Sequence, residues 1–152
     1  MDSELADLAE AIFGVGRELR MRMDAGVAGP ATSETAVVHL TASEAHVMRH
    51  IDHHPGVTPS DVARATGLQR SNLSTALRAL EQRGFVERRT DPHDARGVNL
   101  FPTDQAADNL TRLRRQWASQ MARVLGGDRE SAAAATALLQ RVEAGLVADR
   151  LG

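Results

Sequence analysis

The chain has 152 residues, 42% of them hydrophobic and 25% charged, with a formal net charge of −2; this is the balance of an ordinary globular domain. No apolar run approaches the ~18 residues of a membrane span, the opening "MDSELADLAE" is acidic and unlike a signal peptide, and the absence of cysteine removes disulfides and thiolate chemistry together. A soluble, cytoplasmic protein with no membrane partner is expected.

Residues 3–24 read as a helix, because Leu5, Leu8, Ile12, Val15 and Leu19 recur at spacings of three and four. "DAGVAGPATSET" breaks the period with two glycines and a proline and reads as a loop. "TASE" (Thr41 to Glu44) is a capping box, opening a helix that carries Ala45, Val47, Met48 and Ile51 and stops before Pro55-Gly56. "TPSD" (Thr58 to Asp61) opens a short helix with proline at its first position; Asp61 stands in for the usual glutamate of the box. That helix ends near Thr66-Gly67. A two- or three-residue turn leads to the next, roughly Arg70 to Arg83, with Leu73, Leu77 and Leu80 on its inward stripe. Two short strands, "FVERR" and "GVNLF", then flank a loop within "RRTDPHDARG". Pro102-Thr103 starts a long helix to about Leu125, and Asp128 caps a last one to about Leu151.

Short helix, tight glycine turn and second helix form a helix-turn-helix pattern, and the hairpin directly behind it makes a winged helix. The expected fold class is mainly α with a small β-hairpin wing: a winged helix-turn-helix lobe over 39–102, an N-terminal dimerisation helix and loop over 1–38, and C-terminal dimerisation helices over 103–152.

Charge is unevenly spread. Residues 1–63 sum to −6, residues 64–96 to +3 and residues 97–152 to +1. All 18 basic residues are arginine, which fits a GC-rich codon bias. A local positive patch attracts a polyanion even on an acidic chain. With the three leucines facing inward, helical periodicity puts Arg70, Ser71, Ser74, Thr75 and Arg78 outward, with Asn72 at the flank. No acid occurs from Gln69 to Leu80, whereas an ordinary solvated helix usually intersperses glutamates. Arginine suits guanine, asparagine adenine, and small hydroxyls bases or phosphates.

The stretch "TPSDVARATGLQRSNLSTALRALEQRGFVERR" together with the wing "DPHDAR" resembles the multiple antibiotic resistance regulator (MarR) family of winged-helix transcription factors. The resemblance implies a homodimer on a palindromic double-stranded operator. Each subunit would place one recognition helix, Gln69 to Arg83, in the major groove and one wing in the adjoining minor groove. Arg88 joins the expected DNA contacts, and Asp94 and Arg96 match the family's wing pair. Physically, the carboxylate can restrain a guanidinium two residues on, and the arginine then enters the negative potential of a narrow minor groove. Asp91 and Pro92 would shape the turn. Pro102 and Ala106 depart from the family's pattern, where leucine and glycine are usual.

The resemblance also implies a small-molecule effector between dimer helices and DNA-binding lobe, with Phe13, Arg17, His39, Met48 and Trp117 as lining candidates. Plain packing explains each of them as well. His46 and His50, four apart on one helix face and followed by His53-His54, are weak metal candidates with Glu44 or Asp52 as further donors. The alternatives they leave open are a zinc-responsive regulator and a metal-dependent hydrolase. H-E-x-x-H, a phosphate-binding glycine loop and a nucleophile elbow are all missing. The expectation is therefore a ligand-responsive repressor that is not an enzyme, has no cofactor and holds no metal.

Overall fold

The computed structural model describes residues 3–27 and 36–152, without the side chains of 23–27 and 95–96. In chain order it holds α1 (Ser3–Val27), α2 (Ala42–His53), α3 (Pro59–Thr66), α4 (Arg70–Gln82), β1 (Val86–Asp91), β2 (Asp94–Pro102), α5 (Asp104–Leu125) and α6 (Arg129–Leu151). The expected class, mainly helical with one hairpin, is the observed one. No described helix is long and apolar enough to cross a membrane.

Short polar side chains set where the helices begin. Thr41 Oγ1 accepts the Glu44 amide at 3.3 Å while the Glu44 carboxylate accepts the Thr41 amide at 3.1 Å, a closed capping box. At α3 only half of the expected box forms. Thr58 Oγ1 accepts the Asp61 amide, but Asp61 is one methylene shorter than glutamate, and its carboxylate accepts the Thr58 hydroxyl instead of the backbone. Thr103 and Asp128 cap α5 and α6 through the amides of Ala106 and Ser131. The bonds from Ser131 hold the Asp128 carboxyl below the usual carboxylate range. Gly67 ends α3 at φ +69°, a left-handed conformation that glycine adopts without a Cβ clash.

The core lies in the lobe. Val47, Ile51, Val62, Leu73, Leu77, Leu80, Phe85 and Leu100 are fully or nearly fully buried in one cluster, and each large aliphatic there contributes roughly 1.5–3 kcal/mol of transfer free energy. Glu44, also buried, meets the Arg83 guanidinium at 2.5 Å and so ties the start of α2 to the end of α4. Val57 bridges to Leu100 on the hairpin as an isolated antiparallel pair, which fastens the α2–α3 connection to the hairpin.

The hairpin differs from expectation at its tip. Both strands run into the stretch read as a loop, leaving Pro92-His93 as the turn. The Asp91 carboxylate accepts the His93 amide at 2.8 Å and closes that turn locally. The register then slips between Thr90, opposite Val98, and Asp91, opposite Asp94, so the surplus residues bulge from β2. Pro102, read as the start of the long helix, is instead the last residue of β2, paired with Val86; a strand end tolerates its missing N–H. Ala106, the other departure from the family's pattern, is buried in the core cluster.

The lobe does not stop at residue 102. The Thr103 hydroxyl donates to the Gly84 carbonyl at 2.6 Å, the Asn109 side chain bonds both backbone groups of Val38, and Leu113 is buried. Beyond that point apolar side chains lose their cover. Among the described residues every exposed large hydrophobic lies on α1, the outer part of α5 or α6, from Leu5 and Phe13 through Trp117 and Val124 to Leu146.

Candidate nucleic-acid interface

α4 divides cleanly into two faces. Leu73, Ala76, Leu77 and Leu80 are buried, whereas Arg70, Ser71, Asn72, Ser74, Thr75 and Arg78 are exposed, as is the N-cap Gln69. Gln69 makes no side-chain cap, and the first turn holds no acid, so the positive end of the helix dipole is left for an external anion. Among the described residues neither Arg70 nor Arg78 has an ion-pair partner. Thr75 differs from its neighbours in returning its hydroxyl to the Ser71 carbonyl at 3.0 Å.

The wing is braced against this helix. Arg88 on β1 donates from Nε and Nη2 to the two carboxylate oxygens of Glu81, at 2.5 and 3.2 Å. Next to it, the Arg89 guanidinium lies 4.2 Å above the Phe101 ring and pairs with Glu87. Gly97 lies at a close approach: a Cβ there would come within 3.1 Å of Asp91 Cβ and 3.3 Å of the Asp94 carbonyl oxygen. Asp94 is exposed at the tip. The side chain of Arg96, the residue expected to enter a minor groove, lies outside the described residues.

The chain that carries this helix and hairpin matches known proteins in both sequence and shape. The MarR family profile matches residues 40–97. A Thauera aromatica protein, named for a transcriptional regulatory role at the hcr operon, is 28% identical over 113 residues, covering 71% of this chain and 68% of its own. The transcriptional repressor CouR, solved on a 23-mer DNA duplex, superposes with a TM-score of 0.66 at 25% identity over 94% of this chain and 97% of that one. Over residues 40–97 the chain is similar to the MarR family. Streptococcus pneumoniae FabT, solved in complex with DNA, shares the fold with a TM-score of 0.64 at 22% identity, over 93% of this chain and 96% of its own.

The expected ligand residues do not converge on one place. His39 and Trp117 line a cavity of about 300 Å³ together with Leu19, Arg22, Gln116, Gln120 and Met121, and His39 Nδ1 is buried without a hydrogen-bond partner among the described residues. Phe13 and Arg17 line a separate, shallower hollow on α1 with Arg20 and Met21. Met48 is buried in the lobe core and reaches neither. Sequence reading missed the glutamines, because a polar residue on a helix flank carries no signal until a second helix closes over it.

The histidines likewise do not assemble a metal site. Among the described residues no three of His, Asp or Glu are grouped to hold an ion. His46 is exposed, Glu44 is committed to Arg83 and the α2 cap, and His50 stacks on His54 with ring centroids 4.5 Å apart. Burial lowers the His50 pKa, with the neighbouring His54 and His53 adding to the effect and Asp61 opposing it. Burial raises the Asp52 carboxyl, partly offset by His53.

Proposed function

We propose that this chain is a homodimeric, sequence-specific transcriptional regulator of the MarR family that acts as a ligand-responsive repressor in the compartment holding the chromosome, the cytoplasm. The observation that carries the reading is the exposed, acid-free face of α4 beside a hairpin fixed to the same helix by Glu81 and Arg88. Arg70 and Arg78 would read guanine edges or pair with phosphates, Asn72 adenine, and Ser71, Ser74 and Thr75 either partner. The helix N-terminus at Gln69 would take a phosphate. Asp94 and Arg96 would act in the minor groove. Arg88, expected as a DNA contact, serves better as the brace of the wing, since Glu81 already occupies its guanidinium.

The packing supports a division of labour. Residues 1–38 and 103–152 form the dimerisation part, though α5 as far as Leu113 packs with the lobe of 39–102. The uncovered apolar side chains of α1, α5 and α6 are the surface that a second copy buries. An effector would occupy the His39–Trp117 cavity, whose apolar walls carry Gln116, Gln120 and Arg22 as polar groups.

The test is to let the purified chain select duplexes from a randomised pool. The expected product is an inverted repeat with half-site centres about 10 base pairs apart, one helical turn. Recovery of no common sequence, or of a lone half-site, contradicts the proposal.

A further inference from the structure

The last helix touches the DNA-binding lobe through polar hooks. Glu143 accepts both terminal nitrogens of Arg49 on α2, at 2.8 and 2.9 Å. Seven residues on, and therefore on the same face of α6, Arg150 donates to the carbonyls of Arg64 and Ala65 at 3.1 and 2.5 Å. Those carbonyls belong to the last turn of α3, which lacks intrahelical donors, and a cation is favoured at that end of the helix dipole. Arg150 also lies against the helix-turn-helix turn itself, since a Cβ on Gly67 would come within 3.2 Å of its Nη1. Gln69, the N-cap of α4, is two residues further along.

Apolar packing does not hold this junction. α6 buries no residue, and beneath its end lies an open cavity of about 450 Å³ lined by His50, His54, Val57, Asp61, Arg64, Ala65 and Leu151. Meanwhile Leu138, Leu139 and Leu146 of the same helix are exposed. One helix thus carries an uncovered apolar surface and two polar hooks that grip its own lobe at the turn before the recognition helix.

We propose that Glu143 and Arg150 form a two-point latch through which α6 sets the position of α4, so that the spacing of the two recognition helices is fixed from the dimer side. Arg150 is a positioning residue that acts through the α3–α4 turn. The inference rests on the DNA-binding reading above. Exposed ion pairs are weak and reversible, which suits a joint that must move. Whatever shifts α6 in the dimer shifts the turn.

The experiment uses the full chain, wild type and the double variant Glu143→Gln/Arg150→Gln, on the duplex the wild type selects and on versions with the half-site separation changed by one or two base pairs. Wild type should favour its own spacing by about tenfold or more, and the double variant by less than about threefold, at unchanged dimer sedimentation. Independently of DNA, amide hydrogens of Gly67 and Leu68 should exchange several-fold faster in the variant. Unchanged spacing preference with unchanged exchange overturns the latch. If the double variant fails to fold, the charge swap Arg49→Glu/Glu143→Arg decides: retention of the wild-type spacing preference supports the latch, and its loss in a folded dimer overturns it. If the wild type selects no duplex, the DNA-binding reading has failed, and the exchange rates alone judge the contact.

Discussion

Leu80→Ala is expected to destabilise the fold by about 2–5 kcal/mol, since it removes a fully buried side chain from a core that cannot fully collapse around the gap. The residue sits where three elements meet. It closes the inward stripe of α4, its carbonyl accepts the Phe85 amide at 2.9 Å, and Phe85 leads into β1. Small domains are stable by only about 5–15 kcal/mol, so a loss of this size takes much of the margin. Chemical denaturation should show a lower midpoint with an unchanged m-value. DNA affinity should fall in parallel, because recognition helix and wing share that support. A loss below about 0.5 kcal/mol, the size of a surface substitution, would mean the leucine stripe of α4 faces outward.

Arg78→Ala is expected to weaken binding to the selected duplex by about 5- to 150-fold, or about 1–3 kcal/mol, with relaxed preference at one position per half-site. Arg78 is exposed and unpaired among the described residues, so removing it disturbs no internal contact and stability should hold. Competition with single-base variants of the duplex checks the outcome. A uniform loss across all variants would make Arg78 a phosphate contact, and no loss would remove it from the interface.

Much of this site was legible in the sequence because its signals are local. The capping threonines, the glycine at the α3–α4 turn and the leucine period of α4 lie within a few residues of the features they produce, and the outward face follows by subtraction. The brace between Glu81 and Arg88 was not legible: seven residues and a change from helix to strand separate them, and nothing in the spacing says that the chain folds back at Gly84. The same holds for Glu143 and Arg150, whose partners lie 94 and about 85 residues away. The α1 stripe is instructive in another way. Leu5, Ile12 and Val15 have helical spacing and are nonetheless exposed in a single chain. Periodicity announces a face that wants burial, and it cannot say which chain supplies the cover. The hairpin tip reads as loop because Asp, Pro and His carry turn signals, whereas the strands extend to Asp91 and from Asp94 and leave only Pro92-His93 as the turn.

The most direct test of the account is a titration of the wild-type chain onto its selected duplex at about 50 and about 200 mM salt, with the protein-to-duplex ratio read at saturation. Two chains should bind each duplex, with an affinity that falls by about a thousandfold between the two salts, as expected for roughly six or more neutralised phosphates. One chain per duplex, or binding that ignores salt, would contradict it.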